Sequence, residues 1–217
     1  MITVRQVSHT YGVEAMLLPS FPNSIGLAWH DLACAPWADE YPYRPTVSFA
    51  VAHTGTAIML AWRVTEDGVR AEARHDGDAV WEDSCCECFI QFPQLSDHYY
   101  NIEANCAGQL LVGCGTGRHD RQMASTEVMA AISRHASLGR RPFPLREGFA
   151  EWQLSLVIPT TTFFRDHIGR LDGLQARANF YKCGDRLSRP HFLSFYPIAL
   201  PRPDFHCPPY FGELQFE

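Results

Sequence analysis

The sequence predicts an all-β protein: one antiparallel β-sandwich domain built from two sheets. Three observations carry that expectation. Short runs of alternating apolar and polar residues recur along the chain. Each is bounded by Gly, Pro, Asp or Asn, and about nine such runs at this spacing suit a sandwich.

Thr46 to His53 alternates and stops before Gly55, and the run from Thr56 to Val64 leads to a turn at Glu66-Asp67-Gly68. Cys85 to Phe92 and Tyr99 to Cys106 follow. Ala107-Gly108 then turns the chain into Gln109 to Cys114, which reads as a hairpin partner. Later strands are expected at Ala150 to Ile158, Leu174 to Lys182, His191 to Tyr196 and Gly212 to Phe216. Thr126 to His135 fits either periodicity. Val128, Met129 and Ile132 suit a helix, whereas Val128, Ala130 and Ile132 suit one face of a strand. Prolines cluster between Pro190 and Pro209, where they punctuate turns. Alternation places Phe49, Val51, Ile58, Leu60, Cys86, Cys88, Ile102, Leu156, Ile158 and Phe180 in the core.

The bulk composition limits the function classes. Two hundred and seventeen residues suit one domain spanning 1–217, and a chain of this size buries roughly 70% of its unfolded surface. It therefore needs no disulfide or metal to fold. A formal charge of −6, with Arg140-Arg141 as the clearest basic cluster, argues against nucleic-acid binding. No apolar run approaches the ~20 residues of a membrane helix. The first ten residues lack the apolar core and cleavage site of a leader, so the expected location is the cytoplasm, or outside the cell if a leader was removed.

Other motifs carry little. Cys85-Cys86-Glu87-Cys88 invites a zinc reading, but neighbouring strand residues point to opposite faces, so Cys85 and Cys86 do not readily share one ion. No metal site is expected, and the eight cysteines read as reduced. Gly113-Cys114-Gly115-Thr116-Gly117 lacks the Gly-Lys-Ser/Thr ending of a phosphate loop and reads as a glycine-rich strand end.

Several segments, taken in order, resemble carbohydrate-binding family 9, whose sandwich is of DOMON-like (jelly-roll or immunoglobulin-like) type. They are Trp81-Glu82-Asp83-Ser84-Cys85-Cys86-Glu87-Cys88-Phe89, Tyr99 to Asn105, Glu147 to Trp152 with Leu156 to Pro159, Ala178 to Tyr181, His191 to Phe195, and Phe211 to Leu214. The resemblance covers about 45–217 and implies a strand at Thr126–Ser133. It places Cys86 and Cys88 at apolar core positions.

The resemblance also implies a non-catalytic site for the end of a glucan or xylan chain, held between two aromatic rings. Trp81 falls on the first aromatic position and Phe205 on the second, where the family generally has Trp. Glu87 falls on the strand carboxylate and Asn105 on the next-strand amide. Tyr181 replaces a late-strand glutamine, and Glu103 replaces a basic residue. Alternation independently puts Glu87 on the face opposite Cys86 and Cys88. The implied partner is a carbohydrate. No cofactor is expected, with calcium left open, and oligomeric state is not legible. The alternative functions are a glycoside hydrolase drawing on Glu82, Asp83, Glu87 and Glu103, or a partner-binding domain whose aromatic platform is lost.

Overall fold

A computed structural model describes residues 1–8 and 10–217. The chain is all-β, and its described residues form thirteen strands and three short α-helices. The strands are β1 (Ile2–Gln6), β2 (His30–Asp31), β3 (Thr46–His53), β4 (Ala57–Ala71), β5 (Cys85–Gln91), β6 (Tyr99–Asn105), β7 (Leu110–Gly115), β8 (Gln122–Met123), β9 (Ser133–Ala136), β10 (Phe143–Pro159), β11 (Gln175–Cys183), β12 (Phe192–Ser194) and β13 (Gly212–Phe216). Helices α1 (Val13–Leu17) and α2 (Phe21–Ser24) precede β2, and α3 (Thr126–Ala131) lies between β8 and β9.

Two separate antiparallel sheets were expected, but hydrogen bonding runs through a single sheet in the order β8-β7-β6-β5-β11-β13-β1-β3-β4-β10-β9. The joint is β1. Its first half pairs parallel with β13 and its last two residues pair parallel with β3. The sheet curls over itself, which brings Phe49 of β3 onto Phe180 of β11 with ring centroids 3.9 Å apart. All ten residues assigned to the core by alternation are buried, and they belong to the cluster enclosed by this curl.

Each outer face has its own cover. Ala50, Ala52, Met59 and Val157 pack under Met16 of α1 and Phe21 of α2. On the other half, Phe89, Leu111 and Tyr181 are covered by Trp37, Ile198 and Phe205. The Trp37 indole donates to Leu200 O at 2.8 Å, tying the two covering segments together.

Two local expectations are corrected. Thr126–Ala131 is a helix and not part of the strand expected over Thr126–Ser133, because Ser125 caps it by accepting from Val128 N at 3.3 Å. The strand follows it, at Ser133–Ala136. Glu66-Asp67-Gly68 is not a turn, because β4 runs on to Ala71 alongside the seventeen-residue β10. The ladder is irregular there, with register shifts between Phe143 and Phe149 opposite Asp67–Ala71, and Gly68 has φ +97°. No helix among the described residues is long and apolar enough to cross a membrane.

Candidate functional site

The curl leaves a cavity of about 560 Å³ on the outer face of β5, β6 and β11, walled by the chain around Tyr41 and by Arg202 to His206. Its floor follows from register. Glu87 of β5 stands opposite Glu103 of β6 on one side and Tyr181 of β11 on the other. Residues directly opposite in an antiparallel pair share a face. Two carboxyls therefore lie side by side at the bottom of the cavity, both nearly buried.

Trp81 lies in the 3₁₀ turn Val80–Glu82 that leads into β5. The residue is 39% exposed and lines the cavity, so it is available to a ligand instead of packed away. Phe205 forms part of the facing wall. Tyr181 stacks behind it at 4.2 Å and 9°, and the Tyr181 hydroxyl donates to Phe205 O at 3.2 Å.

The five residues expected at the site thus divide. Trp81, Glu87 and Phe205 line the same cavity. Tyr181 is fully buried and supports Phe205 from behind, without lining the cavity itself. Asn105 also stays out of the cavity. Its amide donates to Asp83 at 2.9 Å and accepts from Ala107 N and Gln109 N, closing the turn between β6 and β7. Asp83 is equally occupied, by Arg70, Glu72 N and Ala73 N, and Glu82 pairs with Arg186. Of the four carboxylates considered for hydrolysis, only Glu87 and Glu103 reach the cavity.

Other wall residues had no legible signal. Tyr41 lies outside the span of the resemblance, and its ring meets Phe192 edge-on at 4.8 Å. Arg121 follows the glycine-rich segment and packs its guanidinium 4.3 Å over the Tyr99 ring. It donates to Tyr99 O and to the Asn101 side chain. Glycine permits this: a Cβ at Gly113 would sit 2.8 Å from Asn101 Oδ1, and one at Gly115 would sit 2.5 Å from Asp120 O.

Burial is the leading cause of the site's electrostatics. It pushes Glu87 well above the usual carboxylate range, with the Glu103 charge adding to the shift. Glu103 rises to about 7, held back by the Asn101 amide that donates to it at 2.8 Å. Burial and the Arg121 charge lower His206 to about 4, so it is neutral and shares a hydrogen bond with Tyr99. Glu103 Oε2 and Arg121 Nε are buried without a hydrogen-bond partner among the described residues. Such groups cost free energy until something satisfies them. The cavity thus combines exposed aromatic surface with a few ionisable side chains, which is the make-up of a small-ligand site.

Proteins of known structure share this fold. No curated protein sequence matches the chain. A crystal structure from Bacteroides uniformis ATCC 8492, of a protein assigned as carbohydrate-binding, is 46% identical. It covers 100% of this chain and 98% of its own, with a TM-score of 0.95. Two structures of a family 9 module from Caldicellulosiruptor kristjanssonii, in complex with glucose and with cellotriose, share the fold at 12% identity. Their TM-scores are 0.60 and 0.59, over 100% of this chain and 95% and 93% of theirs. The model of carbohydrate-binding family 9 matches residues 18–216, and the chain belongs to that family.

Proposed function

We propose that the cavity binds the end of a neutral gluco- or xylo-oligosaccharide and leaves it uncut. The observation that carries this reading is the convergence of Trp81 and Phe205 on one cavity whose floor is Glu87 and Glu103. Sugar rings present C–H faces that stack on aromatic surface, while their hydroxyls need polar partners around the rim. Glu87, Glu103, Arg121 and Asp185 put charged or ionisable side chains around the same cavity, within reach of sugar hydroxyls. The fold is shared with modules solved with glucose and cellotriose.

The carboxyl pair also raises the hydrolase reading, and its placement argues against it. Glycoside hydrolysis needs two carboxyls flanking the scissile bond. Glu87 and Glu103 are neighbours on one floor, opposite each other across a single ladder, so a ligand meets both from the same side. Calorimetry with cello- and xylo-oligosaccharides should give saturable one-site binding, and chromatography of the same mixtures should show every chain intact. Products that vanish in Glu87→Gln would establish the hydrolase. No binding by any member of the panel would favour a domain that has lost its sugar.

A further inference from the structure

The floor of the cavity also brings two thiols up to one of its carboxyls. Cys85 stands directly opposite Cys183 across the β5–β11 ladder, and Glu87 lies two residues along β5 on the same face. One donor atom from each lies within 4.8 Å of the other two. The Cys183 thiol already reaches Glu87 Oε1 at 3.0 Å. We propose that Cys85, Glu87 and Cys183 form a binding site for a thiophilic divalent cation, zinc first among them. The site shares Glu87 with the proposed sugar site, but it is argued from donor geometry alone and tested without sugar.

Geometry and chemistry both support it. Tetrahedral zinc with bonds of about 2.3 Å to sulfur places two sulfurs roughly 3.8 Å apart, so the donors need close by about 1 Å at most. Two sulfurs and one carboxylate oxygen leave a fourth position, and the cavity offers it. Cys183 and Glu87 both line the cavity, so an ion has a route in from solvent and room for a water or ligand oxygen. Cys86 and Cys88 take no part, since they point into the core on the opposite face. Glu103 faces Glu87 across the β5–β6 ladder and adds acidic potential at the site.

Without an ion, burial keeps these ligands protonated. Cys85 is pushed up to about 12, and Cys183 and Glu87 rise well above their ordinary values. Binding therefore releases protons: one from each thiol, and one from Glu87 where it is still protonated. No oxidation or reduction is involved.

The test is a titration of the sugar-free protein with cobalt(II), in a non-thiol reductant. One equivalent should produce thiolate-to-cobalt charge-transfer absorption and the intense visible bands of tetrahedral coordination, both abolished by one equivalent of zinc. The signal should be lost in Cys183→Ser, lost or strongly shifted in Glu87→Gln, and retained in Cys88→Ser. Glu87→Gln keeps both thiols and covers the case in which Cys183→Ser does not fold. Proton release should accompany zinc binding in the unmodified protein. An octahedral spectrum without charge transfer, full signal in Cys183→Ser, or recovery of Cys85 and Cys183 as a disulfide under reductant would overturn the site.

Discussion

Along β11, Lys182 points into the enclosed interior, while its neighbours Tyr181 and Cys183 point to the cavity side. β5 divides in the same way, with Cys86 and Cys88 inward and Cys85, Glu87 and Phe89 outward. Both faces bury ionisable groups, but they accommodate them differently. Inward, the Lys182 ammonium lies 2.8 Å from Glu66 and 2.7 Å from His191, and the Trp152 indole donates to the other Glu66 oxygen. Outward, Glu87 and Glu103 face each other with no cation between them, and Glu103 keeps an oxygen without a partner among the described residues. Inward, a cation meets its carboxylate, whereas outward two acids meet at the floor of a cavity. Stability should therefore reside in the first and recognition in the second.

The largest test of that division is Lys182→Met. Removing one partner of a buried ion pair typically costs about 3–5 kcal/mol, because the remaining charge is stranded. Chemical denaturation should show a loss of that order, and adding Glu66→Leu should restore most of it. A loss that persists in the double variant would mean that Lys182 acts mainly through Cys183 O, to which it also donates. Sugar affinity of any folded fraction should be unchanged.

Trp81→Ala should do the reverse. Loss of a central aromatic anchor commonly costs about 2 kcal/mol of binding, roughly 30-fold in Kd. The ring is partly exposed and outside the core clusters, so the melting temperature should hardly move. A collapse in stability with unaltered affinity would break the comparison.

A smaller effect sharpens it through pH. Glu103 holds its proton up to about 7 in the fold, against an ordinary value of 4.5. Between those values the folded chain binds more protons than the unfolded one, so this group makes stability fall as pH rises. The contribution should fall by about 2 kcal/mol from pH 5 to pH 7. Glu103→Gln should remove that slope in denaturation series. An unchanged slope would place the titration elsewhere on the floor.

Much of this was readable from residue order. The bounds of β3 and β13 match their alternating runs, and Glu87 falls on the face that alternation assigns to it. Trp81 and Phe205 line one cavity, as their motif positions imply. The helix at Thr126–Ala131 was ambiguous because six residues suit both periods, and one side-chain cap at Ser125 favours the helix. The continuation of β4 through Gly68 had no local signal at all, since it depends on a partner strand some eighty residues away.

By itself, the sequence located β3, β5, β6, β7, β11 and β13, the inward-facing residues on the expected strands, and where the aromatic and acidic side chains lie along the chain. Those properties are local, because successive strand side chains alternate whatever lies beside them. Tertiary structure alone decided that β1 joins the halves into one curled sheet, that Tyr41 and Arg121 reach the same cavity, and that Asn105 and Tyr181 stay behind its walls. It also decided that Cys183 lands opposite Cys85, ninety-eight positions earlier in the chain. Such meetings are set by strand order and register. Those depend on how the whole apolar interior closes, and no short stretch of sequence encodes that closure.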